Sequence, residues 1–257
     1  MTLYDHFRKE ERPFIDHVLD WKEQVEMRYQ PKLTEFLDPR QQEMIRLVIG
    51  NNEDVNITFF GGYKEAERAR AFLYPSYIEP SEDNFDIACF ELRYATKFVQ
   101  IEHPKLLGSL LHLGLIRDKF GDLLVADGRA QFIVTKEVSD YIKLNLTHVG
   151  KSPVQAEIIK PNELLHISLD WKETTGTVSS MRLDTVLSEV YRMSRTKATE
   201  YIDHLLVKVN WKVIEKNTFE LKTGDILSVR GKGRCKIIQI EGFTKKDKIR
   251  IRYGKLD

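Results

Sequence analysis

Asp127–Gly128 stands between two short apolar runs, Leu123 to Ala126 and Gln131 to Val134. Asp-Gly tolerates the positive φ angles of a tight two-residue hairpin, so the two runs are expected to pair antiparallel. That hairpin orders its neighbours. Phe85 to Tyr94 reads as a long strand, apolar on both faces: Phe85, Ile87 and Cys89 against Ala88, Phe90 and Leu92. Pro104 to Leu113 reads as a helix with Leu106, Leu107, Leu110 and Leu111 on its buried side and Gly114 at its end. Gly121–Asp122 turns the chain into the hairpin. Lys136 to Leu146 is then a helix and Val154 to Ile159 a strand. Strand-helix-strand-strand-helix-strand is the ferredoxin-like order, and the expected class is α+β. RNA-recognition domains and unrelated enzymes share that order, so it names no function. An RNA-recognition sheet exposes aromatic side chains, and Phe90 and Tyr94 are the candidates, with core packing as the plainer role. Arg93, Lys97, Arg117, Lys119 and Arg129 read as scattered surface cations.

Residues 1–75 form an N-terminal α/β segment. Phe14, Val18, Leu19, Trp21 and Val25 recur at helical spacing after Pro13, and Pro31 marks an end. Asp38 caps a second helix, Pro39 suits its first turn and Gly50 closes it. Val55 to Phe60 is a strand stopped by Gly61–Gly62, and a polar helix is expected from Tyr63 toward Leu73. Such a strand-turn-helix could hold an anion, although Gly-Gly alone is only a tight turn. With 257 residues and roughly 100–200 per domain, more than one domain is expected. The boundaries read as 1–75, 76–172 (ferredoxin-like, with possible RNA binding) and 178–257. Glu173 to Ser180 serves as a polar linker.

Charge separates the last part from the rest. Lys and Arg number 40 and Asp and Glu 39, a net +1. Val178 to Asp257 holds 18 basic and 10 acidic residues, so +8, which leaves −7 for the first 177. Such a split directs the basic part at a polyanion. Leu183, Val186, Leu187 and Val190 form one helix face; Ser194 caps a second helix carrying Ala198, Tyr201, Ile202, Leu205 and Leu206. Arg195 and Lys197 fall in the first turn of that helix, where the macrodipole favours anions. Their presence fits a phosphate that also uses the free amides of the turn. Val207 to Val213 reads as one strand, with Lys208, Asn210 and Lys212 on a solvated face. Ile249, Ile251 and Tyr253 alternate with basic residues in the last strand. Arg230, Lys232, Arg234 and Lys236 surround the Gly231/Gly233 turn, where the backbone can approach a phosphate closely.

Met181–Asp184, Ser194–Ala198, Val207–Asn210, Gly224–Ile226 and Arg230–Arg234, in that order, resemble the alpha-L RNA-binding module of the fourth small-subunit ribosomal protein. The module often has glycine where Leu206 and Trp211 stand. The whole chain is similar to the bacterial YlmH family, including the segment opening at Asp86 and the His103–Pro104…Leu106–Leu107–Gly108…Gly114 stretch. That resemblance implies a cytoplasmic RNA-binding protein, with genes often near those of cell division. It also implies a link to the large ribosomal subunit carrying peptidyl-tRNA in ribosome-associated quality control.

The expected RNA-binding residues are Arg182, Ser194, Arg195, Lys197, Lys208, Asn210, Lys212, Arg230, Lys232, Arg234 and Lys236. Ribosomal RNA, tRNA and the large subunit are the expected partners of a monomer. No cofactor or metal is expected: Cys89 and Cys235 are the sole cysteines, with no ligand spacing, and a reducing cytoplasm fits. Met1 to Glu11 lacks the apolar core of a signal peptide, and no run of about 18 apolar residues suggests a membrane span. The seven histidines are dispersed, no catalytic motif is found, and His112 reads as a structural histidine in the leucine-rich helix. A non-enzymatic RNA binder is the expectation. The alternatives are an RNA-modifying enzyme of pseudouridine-synthase type and a cell-division scaffold.

Overall fold

The computed structural model describes residues 4, 7, 9–50, 54–167, 171–244 and 247–256. It falls into two compact units, 1–167 and 168–257. Among the described residues no helix is long and apolar enough to cross a membrane.

The first unit opens with α1 (Arg12–Arg28), β1 (Lys32–Leu37), α2 (Pro39–Ile49), β2 (Val55–Phe60) and β3 (Ala69–Pro75). The α2 punctuation is as read. The Asp38 carboxylate accepts from the Gln41 amide and the Gln41 side chain accepts from the Asp38 amide. The expected helix from Tyr63 to Leu73 is absent. Residues 69–75 form the central strand of an antiparallel sheet ordered β1-β3-β2, and all seven are buried. No helix N-terminus therefore follows Gly61–Gly62, and the turn has no frame with which to hold an anion. Arg70 is the reason a buried strand tolerates a cation: its guanidinium donates to the carbonyls of Thr34, Phe85 and Asp86. Arg68 likewise donates to Phe36 and Phe120.

Next come β4 (Ile87–Arg93), α3 (His103–His112), β5 (Phe120–Ala126), β6 (Arg129–Thr135), α4 (Ser139–Asn145), the short pair β7 (His148–Val149) and β8 (Ser152–Pro153), and β9 (Gln155–Ile159). The sheet order is β5-β6-β4-β9, all antiparallel, which is the ferredoxin-like arrangement. Asp127 and Gly128 both have positive φ, as the hairpin demands. Strand β5 starts earlier than read, at Phe120, because Gly121 lets the strand pack on the Phe36 ring, which a Cβ would meet at 2.8 Å.

Both faces of this sheet are covered. Phe90, Leu92, Phe132 and Val134 pack with Leu106, Leu110 and Ile142 of the helices. Cys89, Leu124 and Ile133 pack on the other face with Phe36 and Leu164. Phe90 is thus core, stacked on Phe132 at 5.2 Å between ring centroids. Tyr94 packs at the edge of the same core and donates to the Gly128 carbonyl. Neither is the exposed platform of an RNA-recognition sheet.

The second unit contains β10 (Lys172–Val178), α5 (Leu183–Tyr191), α6 (Arg195–Asp203), β11 (Val207–Val209), β12 (Lys212–Val213), β13 (Ile226–Val229), β14 (Gly233–Phe243) and β15 (Ile249–Leu256). The sheet runs β10-β15-β14-β13-β11-β12. Residues 173–178, expected as linker, are instead an edge strand in full register with β15, from Lys172↔Lys255 to Val178↔Ile249. Helices α5 and α6 cover one face, sealing Leu183, Val186, Leu187, Ala198 and Ile202 against Val207, Leu227, Cys235, Ile237 and Ile251.

Helix α6 ends in a six-to-one bond from the Leu206 amide to the Tyr201 carbonyl. The residue forced into the left-handed region is Leu205, at φ 59°, one position before the site expected to favour glycine. Its side chain is 53% exposed, so little packing depends on it. Leu205→Gly is expected to raise stability by about 1 kcal/mol, read as an increased urea midpoint with unchanged slope.

Candidate RNA interface

The site cations fall into two groups at the two ends of α6. Arg195 and Lys197 open that nine-residue helix, and Arg182 sits at the start of α5. The Arg230 amide donates to the carbonyl of Leu206, just past the other end of α6. At a rise of about 1.5 Å per residue, the two ends lie roughly 13 Å apart.

At the helix entry each cation has an acidic partner. Asp184, its side chain 5% exposed, receives Arg182 Nε at 3.1 Å on Oδ1, and Arg182 and Arg195 Nη2 at 3.1 and 2.7 Å on Oδ2. The Thr185 amide also donates to it. Burial pushes the Asp184 carboxyl up, but the two guanidiniums outweigh burial and hold it down at about 2. One carboxylate against two guanidiniums leaves a net positive charge and fixes how both forks lie. Each fork keeps donors for an outside anion, because an arginine has five N–H groups. Lys197 pairs with Glu200 at 2.8 Å. Ser194 Oγ accepts the Lys197 amide at 3.1 Å, so one amide expected to meet a phosphate is already capped. The helix entry is a structured arginine pair rather than a bare anion hole.

The second group lies across the outer face of the sheet. Register places Lys208, Ser228 and Arg234 side by side on β11, β13 and β14. Ile226 and Lys236 form the next row. The burial pattern of β13 and β14 turns Leu227, Cys235 and Ile237 inward, so Arg234 and Lys236 face away from the helices. Arg230 and Lys232 are exposed in the adjoining turn, where Gly231 and Gly233 have φ of 75° and 85°.

Two expected members leave this face. The stretch 207–213 is a hairpin, not one strand: Asn210 and Trp211 have φ of 48° and 64°, and Val209 pairs with Lys212. Directly opposed residues share a face, so Lys212 lies with Val209, opposite to Lys208. Asn210 has a turn role. Its Nδ2 donates to Asp225 and its Oδ1 accepts from the Ile226 amide, each at 2.9 Å.

Residues not expected from sequence to bind RNA also surround a cavity. Arg192, Tyr253 and Lys255 line a space of about 620 Å³ beside the end of α5. Arg192 sits there because it closes α5 with a left-handed φ of 51°, a position that helix periodicity does not mark.

In the first unit four of the five scattered cations are held internally, and Lys97 is exposed. Arg129 makes a two-pronged pair with buried Glu91, and Arg93 pairs with Glu157. Arg117 donates to the Phe120 and Gly121 carbonyls, and Lys119 lies between Glu35 and Glu137. Cys89 and Cys235 are buried, and burial pushes their thiols up to about 11 and about 12, which suppresses thiolate chemistry.

Three families match. Residues 10–78 match "YlmH, N-terminal", residues 80–163 "Putative RNA-binding domain in YlmH" and residues 181–227 "S4 domain". The chain is 46% identical over 251 residues to the Ribosome-associated protein quality control protein P2 of Bacillus subtilis (strain 168), covering 98% of this chain and 97% of that one. It is similar to the solved Cell division protein ylmH from Streptococcus pneumoniae, with a TM-score of 0.55 and 32% identity, over 64% of this chain and all of that one.

Asp184 gives the C-terminal unit a pH dependence. Its folded pKa lies below the ordinary value near 3.8, so its stabilisation is present above about pH 4 and is lost as pH falls toward 2. Asp184→Asn is expected to cost about 2 kcal/mol at neutral pH, with the difference from wild type vanishing near pH 2. Hydrogen-exchange protection of the α5 amides across this range measures it.

Proposed function

The chain belongs to the YlmH family, and from that premise we propose that it is a non-catalytic, cytoplasmic RNA-binding factor acting on structured ribosomal RNA. The ribosome is its working partner, at the large subunit and in contact with tRNA, in ribosome-associated quality control. The name carried by its Bacillus subtilis relative supports this reading.

The observation that carries the proposal is the row Lys208–Ser228–Arg234 with Lys236 beside it and Arg230 and Lys232 in the adjoining turn. Four strand and turn segments bring these cations together, although up to 28 sequence positions separate them. A basic, antiparallel sheet face meets phosphates as a surface does. It neutralises charge without reading bases, and the fold of the RNA then supplies selectivity. The arginine pair on Asp184 adds oriented donors roughly one helix length away.

With about six phosphates engaged, log affinity falls against log salt with a slope of about −4 to −5. Lys208→Ala combined with Lys232→Ala is expected to weaken binding to purified 23S ribosomal RNA by at least about tenfold and to flatten the slope by about 1 to 2. Arg195→Ala with Lys197→Ala is expected to weaken it less, because Asp184 and Glu200 already offset part of that charge. Unchanged affinity and slope in the first double variant would remove the sheet face from the interface.

A scaffold in cell division is the second reading, favoured by the name of the Streptococcus pneumoniae relative. Salt-washed ribosomal particles separate the two, since a scaffold would not sediment with them.

A further inference from the structure

Among the described residues, no internal contact explains Gly108. The chain has fourteen glycines. Thirteen have either a positive φ or a neighbour that a Cβ would strike within 3 Å. Gly108 has neither: it sits in the interior of α3, and among the described residues nothing lies within 4 Å of where its Cβ would be. Only proline is less favourable than glycine in a helix interior.

The residue lies on a stripe. Lys105, Gly108, Ser109 and His112 occupy i, i+3, i+4 and i+7, on the side of α3 away from buried Leu106 and Leu110. His112, expected as structural, is exposed. This stripe is one wall of a shallow cavity of about 520 Å³, whose other wall is the Asn145–His148 segment and Gly150. The Gly150 amide donates to Ser109 Oγ at 3.2 Å, which ties the two walls together. Asn145, Thr147 and His148 are exposed there.

The chemistry of this cavity differs from that of the C-terminal face. Among the described residues Lys105 is its one lining lysine or arginine, and it pairs with Glu102 at 3.3 Å. The other polar groups are hydroxyls, a carboxamide and two imidazoles, which both donate and accept. Asn145 Nδ2 already donates to the Tyr141 carbonyl and His148 Nδ1 is bonded to Thr147 Oγ1, which leaves the Asn145 oxygen and the far ring nitrogens for a ligand. Such groups match ribose 2′-hydroxyls and base edges better than phosphates. The minor groove of an RNA helix is wide and shallow and presents those groups, so a broad, shallow polar wall fits it. A helix without a Cβ at the centre lets the ribose edge come against the backbone.

We infer that the α3 stripe and the Asn145–His148 wall form a second RNA contact that grips the minor groove of an RNA helix through its 2′-hydroxyls. The inference rests on the RNA-binding reading above and adds a place and a ligand chemistry within the first unit.

The test uses the full chain, an RNA duplex of about 16 base pairs and the DNA duplex of the same sequence. Wild type is expected to prefer RNA. Gly108→Gln, and separately His112→Ala with His148→Ala, are expected to lose at least about tenfold in RNA affinity with DNA affinity unchanged, which removes the preference. Gly108→Ala serves as the folding control. It is expected to raise the melting temperature by about 2–4 °C while still weakening RNA binding. If the Gly108 and histidine variants keep the wild-type preference for RNA, the inference is overturned, whether or not this face binds a protein instead. In that case loss of binding in the Lys208/Lys232 variant leaves the C-terminal reading standing. If wild type binds neither duplex nor 23S ribosomal RNA, both fall together.

Discussion

A sheet strand that is apolar on both faces must be covered on both, and β4 imposes that requirement on the first unit. Phe90 and Leu92 face the helices, while Cys89 faces Phe36 and Leu164. Phe36 comes from β1, so the N-terminal sheet is one of the covers. The cations that would otherwise be stranded at this junction are engaged by carbonyls: Arg68 and Arg70 together satisfy five of them, from Phe36, Phe120, Thr34, Phe85 and Asp86. A buried guanidinium is tolerable only when its donors are filled in this way. With both sheet faces closed, a ferredoxin-like unit has no platform for stacking bases. Any RNA contact must use its helices and loops.

In the C-terminal unit the ordering principle is register. Charges distant in sequence become neighbours because antiparallel pairing sets Lys208, Ser228 and Arg234 in one row. The helices supply the opposite face with its apolar cover, and the basic row faces away from them. Asp184 works differently. It offsets part of the positive charge at the helix entry and at the same time orients two flexible arginines, lowering the rotamer entropy lost when they meet an anion.

Much of this is legible in the sequence because its signals are local. The Asp38–Pro39–Gly50 punctuation, the Asp127–Gly128 hairpin and the leucine periodicity of α3 each depend on a few adjacent residues. Where pattern and structure part, the cause is shared: partners distant in the chain decide the outcome. Residues 63–73 look polar, yet 69–73 are strand because β1 and β2 pair with them from both sides. Residues 173–178 look like a linker, yet β15 supplies a partner for every one. Alternation alone puts Lys212 on the wrong face, because it does not reveal a turn formed by Asn210 and Trp211, neither of them glycine. Alternation agrees with register at Lys208, which register sets in one row with Ser228 and Arg234 on the face turned away from the helices. Pattern fails where a side chain is consumed locally, at Asn210, and partly at Ser194. Gly108 is plain in the sequence, but its isolation shows only once every other glycine has an internal reason.

Charge explains why two unlike contacts suit one chain. The first 177 residues carry −7 and the rest +8. An acidic body repels a polyanion at long range, and Arg129, Arg93 and Lys119 on it are engaged with Glu91, Glu157, Glu35 and Glu137. In the proposed reading, encounter is therefore steered to the basic face, which needs no particular sequence and weakens with salt. Contacts in the first unit then act only at short range and must be built from neutral donors and acceptors. A polar, nearly uncharged cavity on α3 is the kind of surface that can bind RNA on such a body, because it does not depend on overcoming the charge around it at a distance. Discrimination would come from that contact and attraction from the other, so salt would alter how tightly RNA is held more than which RNA is chosen.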